Sequence, residues 1–559
     1  MKTTIPTILA LACLISPATG TFAADSPPNI IIFMTDDQSP MDWEYSKFDL
    51  TSPAAWGYTG ANVYSPTVDR LAAGGMVFDR AYASTSVCTP SRYTTLTGRY
   101  ASRTKGKRFQ QLHPSGSLTR VENIVELDPP DELNMPKILQ QNGYKTGFVG
   151  KSHIVDHEIL NHPERWSNYG LEEYDKDADP LDPETNAKMQ HNHKWWRERI
   201  APYGFDYVNS VYSGNLRELF NQKLNVHNIE WTTKAALDFI EQSEDGPFFL
   251  YYAPTLPHGP DPWVRDGQGR FKFSLHADEN MTGEGYLPAD YPFMPTREEI
   301  LKIVHEKGFP EKTAYVTLID AAVGALVEKL EALDMLDNTV IILTSDHGAW
   351  RYGKTTLYEG GIRVPLVVHW PEKVKAGSKY SHLVSNIDHA PTILGFAGAE
   401  IPTDYQMDGV DLTPVAEGKE EGPVHDSVFG EIGYSRGVLT EDGWKYIAIR
   451  YPKDVQRKID NGKTFPTFRG MPMPGEQWKQ VKTGQMPQPY LVRNGHLGFN
   501  SSKHNPNYFQ MDQLYNINED PREKNNLAEQ NPEKLAEMKK LLSRYLKTFP
   551  DHPFGEFTE

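Results

Sequence analysis

Asn29-Ile30-Ile31-Ile32-Phe33-Met34 is a short, β-branched apolar run that stops abruptly at Thr35-Asp36-Asp37. Such a run reads as a strand buried on both faces, as in a parallel sheet. The pattern recurs at Thr339-Val340-Ile341-Ile342-Leu343-Thr344, which stops at Ser345-Asp346-His347. Ahead of it, Val316, Ile319, Val323, Leu326, Leu330 and Leu333 recur at steps of three and four, which predicts one apolar face of a helix. Further strands are expected at 145–149, 247–253 and 364–369, with helices at 133–141 and 232–241. Helix alternating with buried strand predicts an α/β fold: a large, mainly parallel sheet flanked by helices. Ligands of such sheets collect beyond the carboxyl ends of the strands, where both acidic pairs lie.

Working outward, the pattern changes near residue 420. Short strand candidates at 428–432, 435–439 and 444–450 and an amphipathic segment at 532–549 predict a smaller α+β domain with a four-stranded sheet and a closing helix. The expected division is 25–420 for the larger domain and 421–559 for the smaller. Between the last strands, 451–510 is rich in Pro, Gly and aromatics and carries a net charge of +6. No repeat of fixed period occurs, which argues against a solenoid or propeller.

The chain has 559 residues, a net charge of −17 and two cysteines. The acidic balance argues against a protein that coats nucleic acid, which needs a basic face to displace counterions. Lys2, the apolar run Ile8–Ile15 and the small residues before Ala24 predict a secretory signal peptide over 1–24. A lipoprotein anchor on Cys13 is the alternative. No other apolar stretch is long enough to span a bilayer. The expected product is exported, periplasmic or extracellular, and keeps one cysteine, Cys88, which can form no internal disulfide.

Adjacent carboxylates at a strand end repel one another unless a cation lies between them. Asp36-Asp37 alone reads as a turn. With Asp346-His347 ending a second strand in the same way, the set suits a hard divalent cation, Ca²⁺ first and Mg²⁺ as the alternative. Cys88 sits in Ser86-Val87-Cys88-Thr89-Pro90-Ser91-Arg92, where Pro90 predicts a helix start. A helix end and Arg92 nearby would lower the thiol's pKa and favour a thiolate.

Cys-Thr-Pro-Ser-Arg at 88–92 followed by Leu-Thr-Gly-Arg at 96–99 resembles the signature of the type I sulfatases, within the alkaline-phosphatase superfamily. The resemblance extends through most of the chain. Gly150-Lys151-Ser152-His153 is similar to the family's Gly-Lys-x-His element, with Ser where many members have Trp. Phe248–His258, Ser345-Asp346-His347-Gly348, Gly353-Lys354 and Tyr358–Pro365 match later elements, His347 standing where many members have Asn. Leu514–Ala528 resembles its late C-terminal motif. The resemblance implies that Cys88 is oxidised by a maturation enzyme to formylglycine, whose hydrated aldehyde is the nucleophile. It implies a metal held by Asp36, Asp37, Asp346, His347 and residue 88. It further implies that Arg92, Lys151 and Lys354 hold the sulfate oxygens, that His258 protonates the departing alcohol and that His153 orients the hydrate and takes its proton.

Three features favour a sulfated polysaccharide or its oligosaccharides as substrate: the expected export, the basic and aromatic 451–510 segment, and the basic run Arg99, Arg103, Lys105, Lys107 and Arg108. His191, His193, Trp195 and Trp196, within a loop expected over 154–203, are further candidates for substrate contact. Two alternatives stay open: a phosphodiesterase or phosphonate hydrolase of the same superfamily, and a sulfated-glycan-binding protein with an inactive site.

Overall fold

The computed structural model describes residues 26–40, 55–106, 109, 125–127, 129–258, 263–265, 271–273, 275, 278–348, 353–433, 435–450, 505–507 and 510–549. The expected signal peptide, Lys107, Arg108 and nearly all of the 451–510 segment lie outside the described residues.

Eight strands form the main sheet: β1 (Asn29–Thr35), β2 (Met76–Phe78), β3 (Lys145–Lys151), β4 (Tyr207–Tyr212), β5 (Phe248–Ala253), β6 (Thr339–Ser345), β7 (Leu366–His369) and β8 (Ser378–Tyr380). Their spatial order is β8-β2-β7-β6-β1-β5-β3-β4. Only β7 runs against its neighbours, so the sheet is mixed but mainly parallel. The two acid-terminated strands, 310 residues apart, are adjacent in the centre and in register, Asn29 opposite Thr339 and Thr35 opposite Ser345. Every residue of β1 and β6 is buried, as unalternating apolar runs require.

Successive β1 side chains serve opposite faces. Ile30, Ile32 and Met34 pack into a core that also holds α2 (Cys88–Thr97), α3 (Met135–Gln141) and the later α7 (His389–Phe396). Ile31 and Phe33 pack against α1 (Pro66–Gly74), α5 (Ile229–Glu241) and α6 (Ala314–Ala332). The 316–330 stripe buries on α6, and Leu333 caps that helix.

The region expected as a loop over 154–203 instead contains an 18-residue helix, α4 (Pro183–Ile200), started by Asp182, whose carboxylate accepts from the Thr185 N–H. Its sequence is too polar for periodicity to reveal it, but the Asp-Pro start is a capping signal. On it, His193 and Trp196 are buried and His191 bonds Gly170 O. His193 and Trp196 thus help build the scaffold, and both line a cavity shared with Ser213 and Glu218.

Beyond the main sheet, β9 (Ser427–Ile432), β10 (Ser435–Thr440), β11 (Trp444–Ile449) and β12 (Asp512–Asn516) form an antiparallel four-stranded sheet. The helix α8 (Pro532–Leu546) covers it through Met538, Leu542 and Leu546, which pack with Phe429, Val438, Tyr446 and Leu514.

Candidate active site

The carboxyl ends of β1 and β6 bring four residues together. Asp346 N–H donates to Thr35 O at 3.0 Å, and Asp37 N–H donates to Asp346 Oδ1 at 3.1 Å, so each acidic pair orders the other. Asp36, Asp37, Asp346 and His347 are all essentially buried. His347 Nδ1 lies 2.8 Å from Gly348 O, which makes it the protonated nitrogen. The Nε2 lone pair then faces Asp37 Oδ1 at 3.2 Å and Cys88 Sγ at 3.4 Å.

Helix α2 enters this cluster from the adjoining core. All ten of its residues are buried, so polar bonds rather than an amphipathic stripe hold it. Ser91 bonds Asp346 O, while Asn386 Nδ2 reaches Ser91 Oγ at 2.9 Å and Thr94 Oγ1 at 2.8 Å. Gly98 ends the helix in the left-handed region (φ 68°), its N–H bonding Thr94 O. The helix begins at Cys88, two residues ahead of the expected start at Pro90, with Val87 as N-cap. Cys88 Sγ lies 3.6 Å from Asp36 Oδ1 and 3.5 Å from Lys354 Nζ. Arg92, one turn later, pairs with Asp346 Oδ2 at 3.0 Å and Asp36 Oδ2 at 3.5 Å.

The expectation of a thiolate is corrected. Burial pushes the Cys88 thiol well above its ordinary range, against the pull of Lys151 and Lys354, and Asp36 and Asp346 add to the rise. A helix start does not offset burial beside two carboxylates. Residue 88 as cysteine holds its proton.

Lys151 and His153 come from the end of β3. The strand slips register between Val149 and Gly150, and Gly150 adopts φ 94° with its Cα against Ala253, where a Cβ would stand 2.1 Å from Ala253 O. Only glycine fits there, and the bulge re-aims the following residues. Lys151 Nζ lies 2.5 Å from Asp36 Oδ2 and 2.6 Å from Asn215 Oδ1. His153 is buried, and neither ring nitrogen has a hydrogen-bond partner among the described residues. Burial lowers its pKa well below the ordinary value, with Lys151, His157 and Arg92 acting in the same direction. Lys354 Nζ contacts both oxygens of Asp37 at 2.7 and 2.9 Å. His258 Nε2 lies 3.8 Å from Asp37 Oδ2, one-fifth exposed at the rim. Asp37, His153 and Thr355 are three of the six described non-glycine residues with positive φ. Each such conformation costs about 1–3 kcal/mol and recurs where side chains must be aimed.

All eleven assignments over ten sequence positions fall in one neighbourhood. Two overlapping donor sets lie within 4.8 Å: Asp36, Cys88, Asp346 and His347, and Asp36, Asp37, Cys88 and His258. Burial, with Asp36 and Asp346 alongside, pushes Asp37 up to about 7 against the opposing pull of Lys354. Burial would likewise raise Asp36, but Lys151, His258, Arg92 and Lys354 hold it well below the carboxylate range. Crowded buried carboxylates plus a neutral imidazole nitrogen are a fitting donor set for a divalent cation. The surrounding ammonium and guanidinium groups suit a doubly charged or singly charged oxyanion placed beside it.

Sequence reasoning missed two supports. Asn215 and Glu218 form a capping box just beyond β4, a pattern visible as Asn-x-x-Glu. Glu359, in the segment after Lys354, is held by Lys445 of β11 at 3.0 Å, and Lys445 also pairs with Glu523 at 2.8 Å. No local spacing links these three. The basic run is also corrected. Arg103 pairs with Asp408 and lies over Phe549, Arg99 bonds Gln406 O over Tyr405, and Lys105 pairs with Glu132. These three tie segments together rather than forming an open anion surface.

Residues 28–399 match the protein-family model described as Sulfatase. The chain belongs to the sulfatase family. Human N-acetylgalactosamine-6-sulfatase is 28% identical over 425 residues, covering 71% of this chain and 67% of that one. N-acetylglucosamine-6-O-sulfatase of Bacteroides thetaiotaomicron is 27% identical over 468 residues, covering 71% and 72%. A sulfatase structure from a study of glycosaminoglycan metabolism by Bacteroides thetaiotaomicron superposes with a TM-score of 0.58 at 20% identity, covering 94% of this chain and all of that one. This sulfatase is a sulfuric ester hydrolase, and its family implies formylglycine and a divalent metal. Among the described residues, no helix is long and apolar enough to cross a membrane.

Proposed function

We propose that this sulfatase is exported and removes sulfate from a sulfated polysaccharide or its oligosaccharides, using formylglycine made from Cys88 by a maturation enzyme, and Ca²⁺. The observation that carries the reading is residue 88 at the buried start of α2, between the carboxylates of β1 and β6 and the cations Lys151, Lys354 and Arg92. The expected separate domains, 25–420 for catalysis and 421–559 for the smaller sheet, belong to the same reading.

Asp36, Asp37, Asp346 and His347 would hold Ca²⁺ together with residue 88. The metal supplies Lewis acidity at a sulfate oxygen, and the hydrated aldehyde supplies the attacking oxygen. The chain's own residues do the rest. Arg92, Lys151 and Lys354 bind and orient the sulfate oxygens, and they are already fixed by buried ion pairs, so little reorganisation accompanies the developing charge. His258, at the rim, is placed to give a proton to the departing alcohol oxygen. His153, kept neutral by burial and neighbouring cations, is suited to take the proton that lets residue 88 release sulfate. The names of the amino-sugar 6-sulfatases similar to this chain favour a 6-sulfated amino sugar as the first substrate to test.

The test is free sulfate released by the Ca²⁺-loaded protein from a panel of sulfated glycans, run beside phosphate and phosphonate esters with residue 88 assayed by peptide mass. Sulfate from one glycan class is the expected result. Phosphate or phosphonate turnover without sulfate release, with the aldehyde present, would move the assignment to the phosphonate and phosphodiester hydrolases. Glycan binding with neither turnover would leave a sulfated-glycan-binding protein.

A further inference from the structure

We propose that Asn215 and Glu218 are positioning residues that fix the orientation of Lys151 and His153, an inference that rests on the sulfatase reading. Asn215 presents its two amide ends in opposite senses. Its Oδ1 accepts from Lys151 Nζ at 2.6 Å, while its Nδ2 donates to Glu218 Oε1 at 2.9 Å. The carboxylate accepts only, so it dictates which end of the amide faces the lysine. Without it, the amide could turn and direct its NH₂ at an ammonium.

The other oxygen of the same carboxylate has two neighbours. Glu218 Oε2 accepts from Asn215 N–H at 2.8 Å, closing the turn, and stands 3.5 Å from His153 Nε2. Its charge favours the tautomer with the proton on Nε2, which leaves Nδ1 as the basic nitrogen of the imidazole. The backbone holds both partners in step. Ser152 N–H donates to Tyr212 O at 2.8 Å and His153 N–H to Ser213 O at 3.0 Å, so the ends of β3 and β4 continue side by side into the turn. Between them Gly214 admits the carboxylate closely: a Cβ there would lie 2.6 Å from Glu218 Oε2.

Lys151 is thus held from two directions, by Asp36 and by Asn215. An ammonium has three N–H donors, and two anchors leave the third to be aimed at an anionic oxygen. One short turn therefore sets the direction of both a cation and a base, and neither Asn215 nor Glu218 need touch the substrate.

The experiment exchanges donor and acceptor between the two residues. Asn215→Asp sets two carboxylates against each other, and Glu218→Gln leaves one carbonyl oxygen for the two donors of Asn215, its Nδ2 and its backbone N–H, so that the new NH₂ faces a donor. In the double variant the glutamine Nε2 donates to the aspartate, the glutamine carbonyl oxygen takes the place of Oε2, and Lys151 keeps its acceptor. Each single substitution is expected to lower kcat about 10- to 100-fold, with KM within about threefold of the parent. The double variant is expected to recover to within about fivefold of the parent, a coupling that a merely structural role would not show.

Thermal melting accompanies each assay, and Asn215→Ala, which deletes both bonds without adding repulsion, replaces Asn215→Asp if that variant does not fold. Single variants within about twofold of the parent's kcat, or a double variant no better than the weaker single, would overturn the proposal. A parent that turns over no sulfate ester would instead overturn the sulfatase reading. In that event the positioning is read from a crystal structure of Asn215→Ala, where an unmoved Lys151 and His153 would overturn it and their displacement would support it.

Discussion

Cys88 has no exposed surface, and its thiol is held protonated by burial and by the carboxylates beside it. An enzyme that oxidises this residue therefore has to reach it before α2 docks on Asp346 and Asn386. Folded, unconverted protein offered to a formylglycine-generating enzyme is expected to stay unconverted. The unfolded chain, or the isolated peptide 81–92, is expected to be converted. Peptide mass at residue 88 reads both, and efficient conversion of the folded protein would contradict the buried placement. The same burial explains why the thiolate expected from a helix start and Arg92 does not form: Arg92 spends its charge on Asp346 and Asp36.

Between elements, the small sheet joins the segment that follows Lys354 through Lys445 of β11, which lies between Glu359 and Glu523. Burial pushes Glu523 up to about 7, opposed by Lys445 and reinforced by Glu359, whereas Lys445 and Arg363 hold Glu359 low against its own burial. A carboxyl with a raised folded pKa binds more protons folded than unfolded between its two values, so stability falls as pH rises through that window. For Glu523 the window runs from 4.5 to about 7. Glu523→Gln is expected to remove that decline, which is at most about 3 kcal/mol for a shift of this size. Melting temperature against pH for parent and variant checks it, and parallel curves would show that Glu523 is already ionised across the range. This contact marks a boundary of sequence reading. Strands ending in acids, the 316–330 stripe and the Cys-Thr-Pro-Ser-Arg segment are written in adjacent residues, and so are legible. Lys445, Glu359 and Glu523 meet only through tertiary packing. The reversal of β7 was equally hidden, because an apolar run carries no direction, and α4 was hidden because a polar helix has no stripe.

Across the whole molecule, the site joins two neighbouring central strands that are far apart in sequence, β1 and β6, which are followed directly by Asp36-Asp37 and Asp346-His347. A cation shared by these four residues, as proposed, would act as a crosslink between segments 310 residues apart in sequence. A ligand at one hundred times its Kd adds about 2.7 kcal/mol to the stability of the state that binds it. Chelation is therefore expected to lower the melting temperature and abolish turnover together, and added Ca²⁺ to restore both. Unchanged melting and activity after verified metal removal would exclude the donor set as a working metal site. The central claim is that residue 88, within this charged cluster, performs sulfate ester hydrolysis. It is tested most directly by free sulfate released from a 6-sulfated amino-sugar glycan by the parent, with the aldehyde verified by peptide mass, and by Cys88→Ala at matched folding. Release by the parent and none by Cys88→Ala is predicted. Equal release by both would contradict the account.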